Sequence, residues 1–408
     1  MYKYFKGKVS HGFISLFTGR MILKVSSGLL GLFLPIFLYE LFNLNISYVV
    51  SYYLIGYVLY MITVAWGAGY LNKVGLRRSL RIAVVLGAFY YFLFYLIDKS
   101  LSIGGFALEL NNNIFFLLVL TIIVITTHRI MWWIPCHTDM AKFTSKSNRG
   151  KQLSLIEATS VSLGAVGPLV AGWILLEYSY DVLFFIAIII YFISLIPFMT
   201  LPRTKEKYSW TYLQTWKEFF SKKRRKTVFA YMGDGAEGVV GQIIWPIFLW
   251  ELLAGNYFEI GALSSLIVAV TVIIQLIVGK YADLGGKKKM LHISTYLYAI
   301  GWIIKIFIAT AFQIFVASAY HNLAKIFART PFDAITYEKA ADQGHFVDEY
   351  TVIHEMAIQL GKVLMLIFVL CLVIFVNIQW AFMLAAFASL AMNYLADDEV
   401  IKKGRHAG

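Results

Sequence analysis

The chain has 408 residues, 60% of them hydrophobic, 17% aromatic and only 14% charged, with a formal net charge of +13. A soluble domain carries about a quarter charged residues, so this composition excludes an ordinary water-soluble globule. The positive charge collects in alternate loops, a pattern that sets membrane topology and calls for no nucleic-acid partner.

Apolar stretches recur along the whole chain, each near the roughly 20 residues that cross a hydrocarbon core of about 30 Å. They fall at 14–41, 46–70, 79–98, 113–135, 152–176, 181–201, 227–252, 258–280, 289–308, 311–330, 350–376 and 378–396. The expected fold is an all-α membrane protein with twelve transmembrane helices. Lys3, Lys6 and Lys8 precede the first stretch, but Arg20 and Lys24 interrupt it and no small-residue cleavage site follows. It therefore reads as a span and not as a cleaved signal. Beyond it, Lys73, Arg77, Arg78 and Arg81, then Lys142, Lys146, Arg149 and Lys151, then the 202–226 segment with its Lys222–Lys226 run, all belong to one set of loops. The opposite loops hold Lys99. This asymmetry places both termini in the cytoplasm of a cell that carries the protein in its plasma or inner membrane. Cys136 and Cys371 lie in or beside spans and define no disulfide framework and no metal site.

The sequence repeats. PIFLYEL at 35–41 returns as PIFLWEL at 246–252, and the same offset carries Tyr70 onto Tyr281, Asn72 onto Asp283, Gly75 onto Gly286, Arg77 onto Lys288 and Arg78 onto Lys289. Weaker echoes relate Arg129 before Pro135 to Lys325 before Pro331, and SLIEATSVSLG (154–164) to TVIHEMAIQLG (351–361). The expected organisation is an N-terminal six-helix bundle at 1–201, a basic cytoplasmic linker at 202–226 and a second six-helix bundle with a tail at 227–408. Two such halves in parallel orientation are a transporter layout. The run Gly279-Lys-Tyr-Ala-Asp283-Leu-Gly-Gly286-Lys287-Lys288 resembles the loop signature that follows the second helix of each half in the major facilitator superfamily. Leu284 stands where the family has a basic residue. The first copy departs further, with Ala68 for the leading glycine, Asn72 for the aspartate and Leu76 for a basic residue. Asp139 with Arg149-Gly150 resembles the family's next cytoplasmic loop. The resemblance implies two pseudo-symmetric bundles that rock about a midplane site, with the signature loops latching the halves in one conformation; a turn that carries topogenic charge is the plainer account of those loops.

Ionisable residues at membrane depth are costly and are functional candidates by default. Arg20 and Lys24 sit one turn apart in the first span; Asp234 and Glu237 occupy GDGAEG in the seventh. With His321 and Lys325 of the tenth span they are the candidates for substrate or proton coupling, Lys24 being placed to pair with Asp234 or Glu237, either as a static pair or as one broken during transport. Arg129, Glu157, Arg329 and Glu355 are expected as cytoplasmic gate pairs. Lys305 is expected to snorkel at the outer end of its span. GDGAEG lacks the lysine and strand of a phosphate loop, and HEMAI at 354–358 lacks the second histidine of a zinc-protease helix. No nucleophile, base and orienter set points to an enzyme, and no cofactor or metal is expected. GAVGPLVAG (164–172) partly resembles a proton-antiporter motif, and helix packing explains it equally well.

The expected function is proton-coupled secondary transport of a small polar or anionic solute by a monomer in the bilayer. A drug-type proton antiporter is the alternative, and a non-transporting sensor or lipid scramblase the alternative of another class.

Overall fold

The computed structural model describes residues 9–104, 112–144, 149–204, 208–278, 287–341 and 347–396. Among them every regular element is helical. In chain order these are α1 (His11–Leu30), α2 (Phe33–Leu41), α3 (Ile46–Val74), α4 (Leu76–Gly104), α5 (Asn112–Phe143), α6 (Arg149–Glu177), α7 (Tyr180–Met199), the short α8 (Tyr212–Phe219), α9 (Arg225–Val239), α10 (Trp245–Leu252), α11 (Tyr257–Val278), α12 (Lys287–Lys305), α13 (Ala311–Ala341), α14 (Val347–Leu372) and α15 (Ala381–Leu390). A π-helical turn at Val240–Ile244 joins α9 to α10. Gly279, Asp283 and Gly286 of the second loop signature lie outside the described residues, as do the side chains of Lys287 and Glu157.

Among the described residues nine helices are long and apolar enough to cross a membrane. The three expected spans missing from that set are 227–252, 289–308 and 311–330. Helices α9 and α10, of 15 and 8 residues, split the first stretch at the π-helical turn and are each too short to cross alone, while α12 and α13 carry Lys305, His321, Lys325 and Arg329. Charge lowers their apolar character where it gathers.

The chain forms two compact units. Unit 1 comprises 1–209 and 249–269; unit 2 comprises 210–248 and 270–408. In unit 1, α1 packs on α6 and α7, α4 on α5 and α7, and α3 on α5. In unit 2, α9 packs on α14 and α15, and α12 on α13 and α15.

Local chemistry sets the helix boundaries. Ser10 Oγ accepts from Phe13 N at the start of α1, and Asn45 Oδ1 accepts from Ser47 N at the start of α3. Between α3 and α4 stands Gly75 with φ +84°, a conformation that costs other residues and suits glycine.

The repeat extends to backbone detail. α2 ends in Asn43 and Leu44 with positive φ, and α10 ends in Ala254 and Gly255 with positive φ, the same two positions of the repeat. Leu44 N donates to Tyr39 O at 2.8 Å and Gly255 N to Trp250 O at 2.9 Å, closing the same left-handed cap in each copy.

The first copy of the loop signature clamps the chain leaving α7. Asn72 Nδ2 donates to Tyr208 O at 2.8 Å while its Oδ1 accepts from Tyr208 N at 2.9 Å. An aspartate could not donate to that carbonyl, so the departure from the family pattern serves a neutral backbone clamp. Arg77 Nη1 reaches Leu201 O, and Thr204 donates to the buried Asp139. Arg78 is exposed.

Candidate substrate cavity and buried charge cluster

Unit 1 contains an open cavity of about 600 Å³. Helical spacing brings three cations to its wall: Arg20 and Lys24 from successive turns of α1, and Arg129 from α5. The neighbours of Arg129 on α5, His128, Trp132 and Trp133, line the same space, as do Ser27, whose hydroxyl donates to Lys24 O, and Ser160. The Arg129 guanidinium stands 4.8 Å from the centre of the Tyr57 ring, a cation–π contact that fixes its direction. His128 is held by its Nδ1 against Ala83 O at 2.7 Å and stacks on Trp132. Among the described residues the lining contains no carboxylate.

Glycines bring the walls together. A Cβ on Gly167 would fall 2.6 Å from Gly28 C on α1, and one on Gly172 would fall 2.5 Å from Tyr257 O on α11. GAVGPLVAG thus uses its glycines for close helix approach on two sides. Leu169 N donates to Ser265 Oγ at 2.8 Å beside the second approach.

The two repeat motifs meet in unit 1, an arrangement sequence reasoning missed. Tyr39 OH donates to Glu251 Oε1 at 2.6 Å, and Trp250 Nε1 donates to Glu40 Oε1 at 3.1 Å. Tyr39 and Trp250 are the same repeat position, as are Glu40 and Glu251, so each copy's aromatic group donates to the other copy's acid. Tyr257 OH also donates to Glu40. This reciprocal latch, together with the glycine contacts, explains why 249–269 belongs to unit 1. The signal was present in PIFLYEL and PIFLWEL: an aromatic–acid pair repeated next to apolar residues.

Unit 2 gathers the other candidates. Asp234 pairs with Arg329, whose Nη2 also lies 3.7 Å from Glu237 Oε1. Tyr298 OH donates to Glu237 Oε2 at 2.5 Å. Glu237 is fully buried and Asp234 nearly so. Arg329, expected at a cytoplasmic gate, thus joins the two acids in one cluster on α9 and α13. Lys325 lies 5.9 Å from the centre of the Tyr298 ring. His321 is buried against Trp302 and Tyr298, with ring centres 4.4 and 4.8 Å away. Glu355, buried on α14, has its Oε1 3.9 Å from His354 Nδ1.

Lys305 departs from its expected snorkelling. It is buried, its ammonium 3.8 Å from the Trp245 ring centre and 4.5 Å from that of Trp302. Two indole faces enclose its terminal nitrogen inside the unit.

The glycines of GDGAEG again serve packing. A Cβ on Gly235 would lie 2.1 Å from Ile358 O of α14, and one on Gly233 would lie 2.6 Å from Ala388 O of α15.

The sequence profile of the Major Facilitator Superfamily matches residues 16–233, more than half of the chain. The chain belongs to this superfamily. It is accordingly a multi-pass secondary transporter that acts on a solute and not an enzyme in the usual sense. A solved structure titled "Selectivity mechanism of a bacterial homologue of the human drug peptide transporters PepT1 and PepT2" superposes with a TM-score of 0.69, covering 98% of this chain and 100% of that one. At 9% identity the likeness is one of fold. No curated protein matches the chain.

Proposed function

We propose that this superfamily member is a proton-coupled carrier of a small anionic solute. The observation that carries the proposal is the cavity wall of Arg20, Lys24 and Arg129, three cations lining about 600 Å³, a size suited to a small molecule. Arg20 and Arg129, half-buried in that wall, attract an anion more strongly than they would in open water. Asp234 and Glu237, buried beside Arg329, are the groups that would exchange a proton as the ion pairs rearrange. In this reading twelve spans form bundles at 1–201 and 227–408 joined by the 202–226 linker. The protein works as a monomer in the plasma or inner membrane, with both termini and the linker cytoplasmic. The bundles alternate access to the cavity, and the Tyr39–Glu251 and Trp250–Glu40 latch closes its non-cytoplasmic end. Lys24 serves coupling from the cavity wall and Asp234 with Glu237 from the buried cluster, while Glu355 beside His354 acts as a cytoplasmic gate.

The test is uptake into proteoliposomes under an inward proton gradient, after a thermal-shift screen of small anions, sugars, nucleosides, amino acids and lipophilic cations at pH 5.5 and 7.5. A ligand of the folded state raises the melting temperature. Anion hits lost in Arg129→Gln support the proposal, and neutralising Glu237 should abolish uphill uptake while counterflow exchange survives. Hits confined to lipophilic cations would instead favour a drug-type antiporter, a reading that Trp132 and Trp133 in the cavity wall keep in view. Lipid scrambling indifferent to Asp234 and Glu237 would mark the scramblase class.

A further inference from the structure

The segment between α7 and α9 carries an unpartnered face. Thr211 Oγ1 accepts from Gln214 N and starts α8, which buries Thr215 and Phe219 and rests on α14. The side adjoining this buried face is apolar, while helical spacing turns Lys217 to the side opposite it. Tyr212, Trp216 and Phe220 follow one another at four-residue spacing, their rings 6.3 and 5.9 Å apart, with Leu213 alongside. Leu213 is 78% exposed and Phe220 71%. Next to this stripe stand Lys217, Lys222, Lys223, Arg225 and Lys226, all exposed. Arg224 is occupied: its guanidinium lies 5.4 Å from the Trp210 ring centre, and its Nε is 3.4 Å from Glu218, which is the one acidic residue of α8.

An apolar, aromatic stripe bordered by lysine and arginine is the pattern of a helix that lies in the membrane interface. Trp and Tyr favour the headgroup level, and a basic cluster favours leaflets rich in anionic lipid. The partner must be close at hand, because the segment is tethered on one side to α7, an apolar candidate span, and on the other to α9. We propose that α8 and the run after it form a lipid-reading anchor. Tyr212, Leu213, Trp216 and Phe220 enter the interface of the linker-side leaflet, and Lys222, Lys223 and Arg225 hold anionic phospholipid headgroups. This rests on the reading that the chain spans a bilayer with 202–226 on one side of it.

The experiment uses the full chain in nanodiscs of zwitterionic lipid alone or with one third anionic phospholipid. Cys371 is replaced by Ala to leave the buried Cys136, and a nitroxide is attached in turn at Leu213→Cys, Lys217→Cys and, as a control, Phe192→Cys on the exposed face of α7. Collision rates with oxygen, which enriches in lipid, are compared with those of a water-soluble nickel chelate. The expected result is an oxygen-to-nickel ratio at 213 several-fold above that at 217, rising at least two-fold with anionic lipid. The variant Lys222→Gln/Lys223→Gln/Arg225→Gln should lose that rise while the control keeps its value. Nickel accessibility at 213 in both lipids, with 192 in lipid, would overturn the anchor and leave the membrane reading intact. Water at both 213 and 192 would overturn the membrane reading itself. A label at 213 shielded from both reagents would mean that protein covers the stripe, and would equally overturn the lipid anchor.

Discussion

Removing Arg329 isolates the energetics of the charge cluster. Its guanidinium is the cation recorded for two buried carboxylates, Asp234 with its side chain 7% exposed and Glu237 with its side chain at 0%. Arg329→Met keeps much of the volume and leaves both acids without that partner. Breaking a buried ion pair from one side costs about 3–5 kcal/mol, because the remaining charge stays desolvated. The second acid shares the same arginine, so the upper part of that range applies. For a cooperative unit of roughly 150–250 residues, about 1 kcal/mol moves the melting temperature by about 2–4 °C, so a drop on the order of 10 °C is expected. The assay is thermal unfolding in detergent, followed by tryptophan emission, for the wild type, Arg329→Met, and Arg329→Met combined with Asp234→Asn and Glu237→Gln. Neutralising the acids should return at least half of the lost stability, since no buried charge is then stranded. A single variant that melts with the wild type would refute the pairing. A triple variant as unstable as the single one would show that Arg329 acts by packing and not by charge.

Three further outcomes follow from other parts of the fold. Tyr39→Phe and Glu251→Gln should each lower the melting temperature, and their double mutant should fall short of the sum by a coupling of about 0.5–3 kcal/mol; full additivity would deny the hydrogen bond between them. Leu44→Gly should raise stability by about 1 kcal/mol, because Leu44 holds a left-handed conformation that its repeat partner Gly255 adopts freely; a melting temperature that falls would contradict the backbone argument. Gly361→Ala should destabilise by about 1–3 kcal/mol, since the new Cβ would sit 1.9 Å from Met232 O of α9, whereas Gly69→Ala, open within 4 Å, should be tolerated; equal melting of the two variants would count against the close α9–α14 contact.

Much of this protein was legible in its sequence because the bilayer is a demanding solvent. Backbone groups in hydrocarbon must bond internally, so apolar length alone announces helices, and the repeat PIFLYEL/PIFLWEL announces duplication. Ionisable residues in apolar spans announce candidate sites: Arg20 and Lys24 line one cavity, where Arg129, expected at a cytoplasmic gate, joins them, and Asp234 and Glu237 share one cluster. What the sequence could not supply was partnership. Arg329 lies about ninety residues from the acids it meets, Lys305 found two indole faces, and Asn72 binds the backbone of Tyr208 in a way no side-chain pattern displays. The exchange between Tyr39 and Glu251, and between Trp250 and Glu40, is of the same kind. Periodicity fixes which face of a helix a residue occupies. Which other face it meets depends on how glycines such as Gly167, Gly172 and Gly235 let helices approach, and that is settled by packing across the whole chain.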